Sequence, residues 1–346
     1  MKFLYALILL FPVGIILKVT GGSAVAVFIC SALCIVGLAA LMGTATENAA
    51  YYLGERVGGF LNATFGNAAE LLINIFVLKA GLTDVVKASI VGSIIGNILL
   101  VLGLSMLCGG LKYKEQRFNI RSVELNSGML FFALIGMCIP AVFVHTMTDS
   151  SLKSEELSLF IAVMMILLYA MQIIFTFVKH KDAFASESSA VEETPEWSLR
   201  TSLLVLVAVT VCLAVISEVF TGSVEGMSDS LGLSDTFVGL IMIPIIGNAA
   251  EHSTAVLMAM KDKMNTAIEV SIGSTLQVIL FVMPVLVFIS CIWSPMNLVF
   301  TPFELAILIA SALITNRVIE DGRSNWFEGA QLLGIYLIIA VSFFIV

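Results

Sequence analysis

The sequence predicts an all-α polytopic membrane protein of about eleven transmembrane helices, two inverted five-helix repeats behind one extra N-terminal helix. Three observations carry that prediction. The 346 residues are 59% hydrophobic and only 12% charged, with a mean hydropathy of +1.06, too little polar surface to cover a globule in water. Apolar windows of lipid-spanning length recur from end to end, and in a bilayer such windows satisfy their backbone as helices. One pentapeptide occurs twice inside them, Gly66-Asn67-Ala68-Ala69-Glu70 and Gly247-Asn248-Ala249-Ala250-Glu251.

Read between polar punctuation, the spans fall at roughly 2–18, 22–46, 60–80, 84–108, 126–146, 156–179, 199–220, 235–260, 265–292, 300–317 and 326–346, on a length rule of roughly 20 residues. The first contains Pro12 and Gly14 behind Lys2 and could be a cleaved signal; with Lys18 closing the run and no clear small-residue cleavage site, it reads as a retained helix. Residues 1–20 thus form the extra helix, 21–179 the first repeat, 180–198 a cytoplasmic linker and 199–346 the second repeat. The linker carries Asp182, Glu187, Glu192, Glu193 and Glu196, and reads either as a solvated hinge or as a gatherer of cations at the inner mouth.

Basic residues orient the chain. Lys2, Arg56, Lys112, Lys114, Arg117, Arg121, Lys179, Lys181, Arg200, Lys261, Lys263, Arg317 and Arg323 fall on one side of this topology, while Lys18, Lys79, Lys87 and Lys153 fall on the other. The positive-inside bias then puts the N-terminus in the cytoplasm and the C-terminus outside. A net charge of -8 argues against nucleic acid as a partner and against a polybasic hold on anionic lipid, so the bilayer interior is the expected environment. The six cysteines lack paired spacing and read as small packing residues, as do the scattered methionines. No GxxxxGK[ST] loop, HExxH or GxSxG motif occurs, so the sequence offers no machinery for ATP-driven pumping or hydrolysis and the chain does not read as an enzyme. No cofactor is called for.

The repeat extends past the pentapeptide. At a constant offset of 181 residues Gly92-Ser93 aligns with Gly273-Ser274. Five spans per repeat is an odd number, which inverts the second copy relative to the first, and inverted-repeat transporters carry their site at the midplane on interrupted helices. Glu70 and Glu251 are therefore expected to face each other. In each motif Gly permits a bend, Asn offers a carbonyl ligand and an amide donor, the alanines leave room, and Glu supplies full charge. Hard oxygens at a bend suit a hard cation such as Ca2+. Two desolvated carboxylates side by side cannot both stay ionised and unpaired, so either a divalent ion or protons must neutralise them. That competition is in itself an exchange mechanism, proton-coupled Ca2+ antiport by alternating access.

Weaker candidates surround this pair. Ser93, Asn97, Ser274 and Gln277 lie one helix later in each half, as further oxygens or as helix glue. His252 follows the second Glu and either relays protons or bonds a backbone carbonyl. Glu47 and Glu218 are placed near the ends of each repeat's first helix, on a cation path or simply solvated. Glu269, Glu304 and Glu320 read as wetted groups near span boundaries.

The two GNAAE motifs, the second continuing as Glu251-His252, together with Ser89-Ile90-Val91-Gly92-Ser93-Ile94-Ile95-Gly96-Asn97 and Gly273-Ser274-Thr275-Leu276-Gln277, resemble the cation/proton exchanger (CAX) family of the calcium/cation antiporter superfamily. The likeness covers nearly the whole chain. It implies Ca2+/H+ exchange by ten core helices plus one, with the central glutamates at Glu70 and Glu251 and the flanking amides at Asn67 and Asn248; it also includes Asn97 and Gln277. Sodium-coupled relatives resemble the chain in topology but carry Thr/Ser-rich motifs with a proline before the acid, where this chain has Asn and Ala. A channel is the remaining rival. Without a long N-terminal extension, a bacterial plasma membrane is the expected location. Oligomeric state is left open.

Overall fold

The structure, a computed structural model, describes residues 2–146, 151–175 and 195–345; residues 180–194 of the acidic linker lie outside the described residues. It is helical almost throughout. The helices are α1 (Leu4–Val19), α2 (Ala24–Phe65), α3 (Ala68–Lys79), α4 (Thr83–Tyr113), α5 (Ile120–Thr146), α6 (Ser151–Ile174), α7 (Leu199–Leu231), α8 (Asp235–Gly247), α9 (Ala249–Ala259), α10 (Met264–Ser290), α11 (Pro302–Ile319) and α12 (Trp326–Ile345). Two three-residue strands, β1 (Glu115–Arg117) and β2 (Arg323–Asn325), pair antiparallel with Gln116 opposite Ser324.

Local chemistry sets the helix ends. The Ser23 hydroxyl accepts from the Ala26 N–H at the start of α2, Ser198 does the same for α7, and Thr301 with Glu304 forms a reciprocal capping box ahead of Pro302 in α11. Gly232, with φ of 66°, closes α7 in the left-handed conformation. Glu304, read from sequence as a wetted group, is instead buried in its cap; Glu320 is exposed as read, beside Arg317.

Among the described residues eight helices are long and apolar enough to cross a membrane, or nine if α8 and α9, bent by 61° at Asn248, count as one span. The expected eleven included 2–18 and 60–80. The first appears as α1, short and interrupted by a 3-10 turn at Leu7–Leu9. The second is divided at Gly66-Asn67, which leaves the twelve residues of α3. Two first helices outrun their expected ends. α2 continues past 46 to a kink at Gly54 (φ 77°, ψ 167°) and then to Phe65; α7 continues past 220 to Leu231. The polar residues that seemed to end them are satisfied inside the helix: Thr44 Oγ1 donates to Ala40 O, Asn48 Nδ2 to Thr44 O, Ser223 to Phe220 O and Ser228 to Val224 O. Glu47 and Glu218 accordingly lie within helices rather than near their ends.

The chain packs as two compact units that draw on both sequence halves. The first takes residues up to Ala80, Ala170–Asp235 and Ile246–Ala250. In it α2 packs along α7, the first helices of the two repeats, around Val27, Ile35, Leu38, Leu213 and Ile216, with the Phe28 and Phe220 rings 4.6 Å apart. α1 is tied to this pair by Tyr5 to Thr44 (2.9 Å) and by Lys18 Nζ donating to Gly222 O (2.9 Å).

The second unit takes Gly81–Tyr169, Thr236–Ile245 and Glu251–Val346. Here α4 packs closely on α12 where Gly103 and Gly110 face Leu332, Gly329 and Trp326, the small-residue contact that brings membrane helices together. α4 and α10 each contain a π-helical stretch within one turn after the repeated Gly-Ser, at Gly96–Val101 and Val278–Val282. Such bulges free a carbonyl from the helix ladder, and Thr315 Oγ1 donates to Ile98 O at 3.2 Å.

The repeated glycines have different surroundings. A Cβ on Gly92 would overlap the Leu240 carbonyl oxygen and lie 2.7 Å from Pro244 Cγ, whereas one on Gly273 meets no described atom within 4 Å. Overpacking a filled contact costs about 1–3 kcal/mol, so Gly92→Ala is expected to lower the thermal unfolding midpoint of the detergent-purified protein while Gly273→Ala leaves it near wild type. Equal shifts would contradict the packing.

Candidate functional site

Both motifs fold as a break followed by a new helix. Gly66 ends α2, its N–H bonded to Asn62 O; Asn67 turns out of helical geometry (φ -94°, ψ 14°) and α3 begins at Ala68. Asn248 likewise separates α8 from α9. Glu70 and Glu251 each sit in the first turn of the new helix, where unsatisfied N–H groups and the helix dipole favour negative charge. The break supplies in apolar surroundings what a continuous helix would withhold.

In the first unit Glu70 is fully buried, with Asn67, Ala68 and Ala69 buried beside it. Asn248 is buried as well. The second motif reaches this carboxylate-bearing turn through its glycine: a Cβ on Gly247 would sit 3.3 Å from Glu70 Cα and Cβ. Sequence reading missed Asn74. It is fully buried one turn after Glu70, its Nδ2 donates to Glu70 O at 3.0 Å, and its Oδ1 has no hydrogen-bond partner among the described residues. An amide within the run Leu71-Leu72-Ile73-Asn74-Ile75-Phe76 was a visible signal, but its repeat equivalent is Ala255, so comparing the two halves did not select it.

In the second unit the supporting residues form one network. Ser274 bonds the Glu251 carboxylate. Asn97 Nδ2 donates to Ser274 Oγ at 3.1 Å, and Asn97 Oδ1 lies 3.3 Å from His252 Nε2. His252 is thus tied to a side chain of α4 rather than to a backbone carbonyl, and Asn97, only 1% exposed, holds the amide orientation that serves both neighbours. Its place at the start of the π-helical stretch aims it there. Ser93 is buried one turn earlier, and Gln277 is half-buried at the matching edge of the α10 bulge. Glu251 Oε2 is buried and has no hydrogen-bond partner among the described residues, a deficit that asks for a ligand or a proton.

The proposed path residues stand apart in character. Glu47 and Glu218 are exposed, and Glu218 Oε1 is 3.1 Å from Lys79 Nζ in the first unit, the two side chains 62% and 50% exposed.

The chain matches the family model described as sodium/calcium exchanger protein over residues 23–178 and 201–345. It is 46% identical over 316 residues to the Ca(2+)/H(+) antiporter ChaA of Bacillus subtilis, with 90% of each chain covered. It is 41% identical to the Ca(2+)/H(+) antiporter of Aphanothece halophytica, over 98% of this chain and 95% of that one. Among solved structures it matches native YfkE with a TM-score of 0.86 at 40% identity, over 99% of both chains.

Asn97→Ala should leave both His252 and Ser274 short of a partner. Interhelical hydrogen bonds in membrane proteins couple by roughly 0.6 kcal/mol and at most about 1.7, so a thermal-unfolding cycle of Asn97→Ala with Ser274→Ala is expected to be non-additive by that amount. Glu218→Gln, at an exposed pair, is expected to shift stability by less than about 1 kcal/mol.

Proposed function

The chain belongs to the sodium/calcium exchanger protein family and, within it, to the cation/proton exchangers, and we propose that it exchanges Ca2+ for H+ across the membrane through Glu70 and Glu251. The observation that carries the reading is the matched placement of the two carboxylates, each in the first turn of a helix begun by a Gly-Asn break inside an apolar stretch. The kinship with proteins named Ca(2+)/H(+) antiporters supplies the ion pair. Asn67 and Asn248 add amide oxygens suited to a hard cation, and the unpartnered Oε2 of Glu251 leaves an oxygen free to bind it.

Chemically, a carboxylate in these surroundings is stable when it holds a cation or a proton and costly when it holds neither. Ca2+ binding displaces protons from Glu70 and Glu251, and protons arriving from the opposite side displace Ca2+. The carrier reorients cheaply only in its neutralised forms, which couples the two fluxes. Asn97 and Ser274 position Glu251; His252, through Asn97, ties the second motif to α4. Asn and Ala beside the acids, in place of hydroxyl-bearing residues, favour protons over Na+ as the coupling ion.

Purified protein in liposomes bearing a proton gradient is expected to accumulate Ca2+, and a sodium or potassium gradient alone is expected to drive none. Glu70→Gln and Glu251→Gln should each reduce uptake to the level of empty liposomes. Full activity in either variant, or a flux without proton coupling at channel rates, would overturn the assignment. His252→Ala measured across a pH series checks the relay: an unchanged profile removes His252 from the proton path.

A further inference from the structure

Resting on the reading of Glu251 as a cation ligand, we propose that Glu269 is a further residue of the transport path, the acid that collects Ca2+ at the N-terminal end of α10 and hands it along one helix face toward Glu251. Four residues spaced by one helical turn lie on that face: Asn265, Glu269, Gly273 and Gln277. All four are partly accessible, with Thr266 and Val270 at the edge, while Ala267, Ile268, Ser271, Ile272, Ser274, Thr275 and Leu276 between them are buried. Asn265 Nδ2 donates to Glu269 Oε1 at 3.0 Å and so holds the carboxylate toward the N-terminal end of α10. From Glu269 to Gln277 the helix rises about 12 Å. Ser274, which bonds Glu251, is reached just before Gln277.

Two observations make this face a water path rather than a lipid face. The outer faces of α5, α7 and α12 carry exposed large apolar residues such as Ile135, Leu204, Val207 and Ile338, and an accessible acid within a hydrophobic helix is costly unless it meets water. The polar character also stops where the binding residues are: beyond Gln277 the same face continues as Phe281, whose ring lies 5.7 Å from that of Tyr169, and Val285. A lipid-facing stripe would have no reason to change there.

The first repeat supplies the contrast. Its equivalents are Asp84, Ala88, Gly92 and Gly96, and from Ala88 onward they are buried. α8 fills that face, with Gly92 against Leu240 and Pro244, and Gly239 against Val85 and Ala88. On α10 a Cβ at Gly273 would meet no described atom within 4 Å. The first repeat's face is sealed at Ala88 and Gly92 and open again beside Gly96, whereas its counterpart is open at Gly273, one turn from an acid.

The test uses the full-length protein in proteoliposomes. A collecting carboxylate raises the local concentration of the divalent ion without joining the central site, and charge-focused encounter gains roughly tenfold or more; Glu269→Gln should therefore raise the apparent KM for Ca2+ at least roughly threefold, flatten its dependence on ionic strength, and leave Vmax within about twofold of wild type. Independently, Glu269→Cys and Gly273→Cys should react with a membrane-impermeant thiol reagent above the wild-type background, both from the same side of the membrane, and Ca2+ should slow the reaction. An unchanged KM with wild-type salt dependence, a loss confined to Vmax, or cysteines reached only by a lipid-soluble reagent would overturn the proposal. Because labelling needs no transport, it still decides the path if the wild-type protein fails to exchange Ca2+ for H+, an outcome that would count against the functional reading instead.

Discussion

Interrupting a membrane helix to seat a carboxylate is the constraint from which the rest of this structure follows. A Glu in a continuous apolar helix faces lipid or packed side chains with every backbone donor near it already used. At Gly66-Asn67 and at Asn248 the helix is interrupted, and Glu70 and Glu251 fall in the first turns of α3 and α9, where the helix dipole favours negative charge. Glycine at 247 is then a matter of space, since a Cβ there would lie 3.3 Å from Glu70 Cα and Cβ.

The break also accounts for the way helices are shared between the compact units. Half-helices shorter than a span cannot bury their flanks alone, so they are held by long neighbours: α3 by α2 and α7 in the first unit, and the residues after Glu251 by α4 and α10 in the second. At the far end of α9, Gln116 Nε2 donates to Ala259 O and to Asp262 Oδ1, and Lys112 Nζ donates to Met260 O. These side chains satisfy the carbonyls with which α9 ends. The half-helix bearing Glu251 is thereby held at both ends, by Asn97 of α4 at one and by Lys112 of α4 with Gln116 of β1 at the other.

Much of this was legible in the sequence, and the failures have physical causes. Composition gave the membrane class, and the exact pentapeptide repeat, with Gly92-Ser93 and Gly273-Ser274 in the same register, marked the broken helices and the residues that meet around Glu251. Helix ends were misplaced because polarity was read as solvent: Thr44, Asn48, Ser223 and Ser228 bond carbonyls of their own helices and let α2 and α7 run on. Hydropathy likewise does not register the break at Gly66-Asn67 that divides the expected span 60–80. Asn74 escaped because the repeat that revealed its neighbours does not include it. Glu269 reads from sequence as a wetted group near a span boundary, and only the accessible face connecting it with Gly273 and Gln277 gives it a direction.

The departures from repeat symmetry carry as much meaning as the matches. Two copies of one motif with identical surroundings would give no preference for either side of a membrane. Here the shared glycine is closed over by Leu240 and Pro244 in one copy and left open in the other, and Asn97 has Val278 at the equivalent place. For an alternating-access carrier, sealing and opening are the two conditions that the equivalent faces must exchange. Since a filled contact at Gly92 leaves no room for even one methyl group, the closed condition is a close-packed one, and leaving it requires α8 to part from α4 as a body rather than side chains to move aside singly.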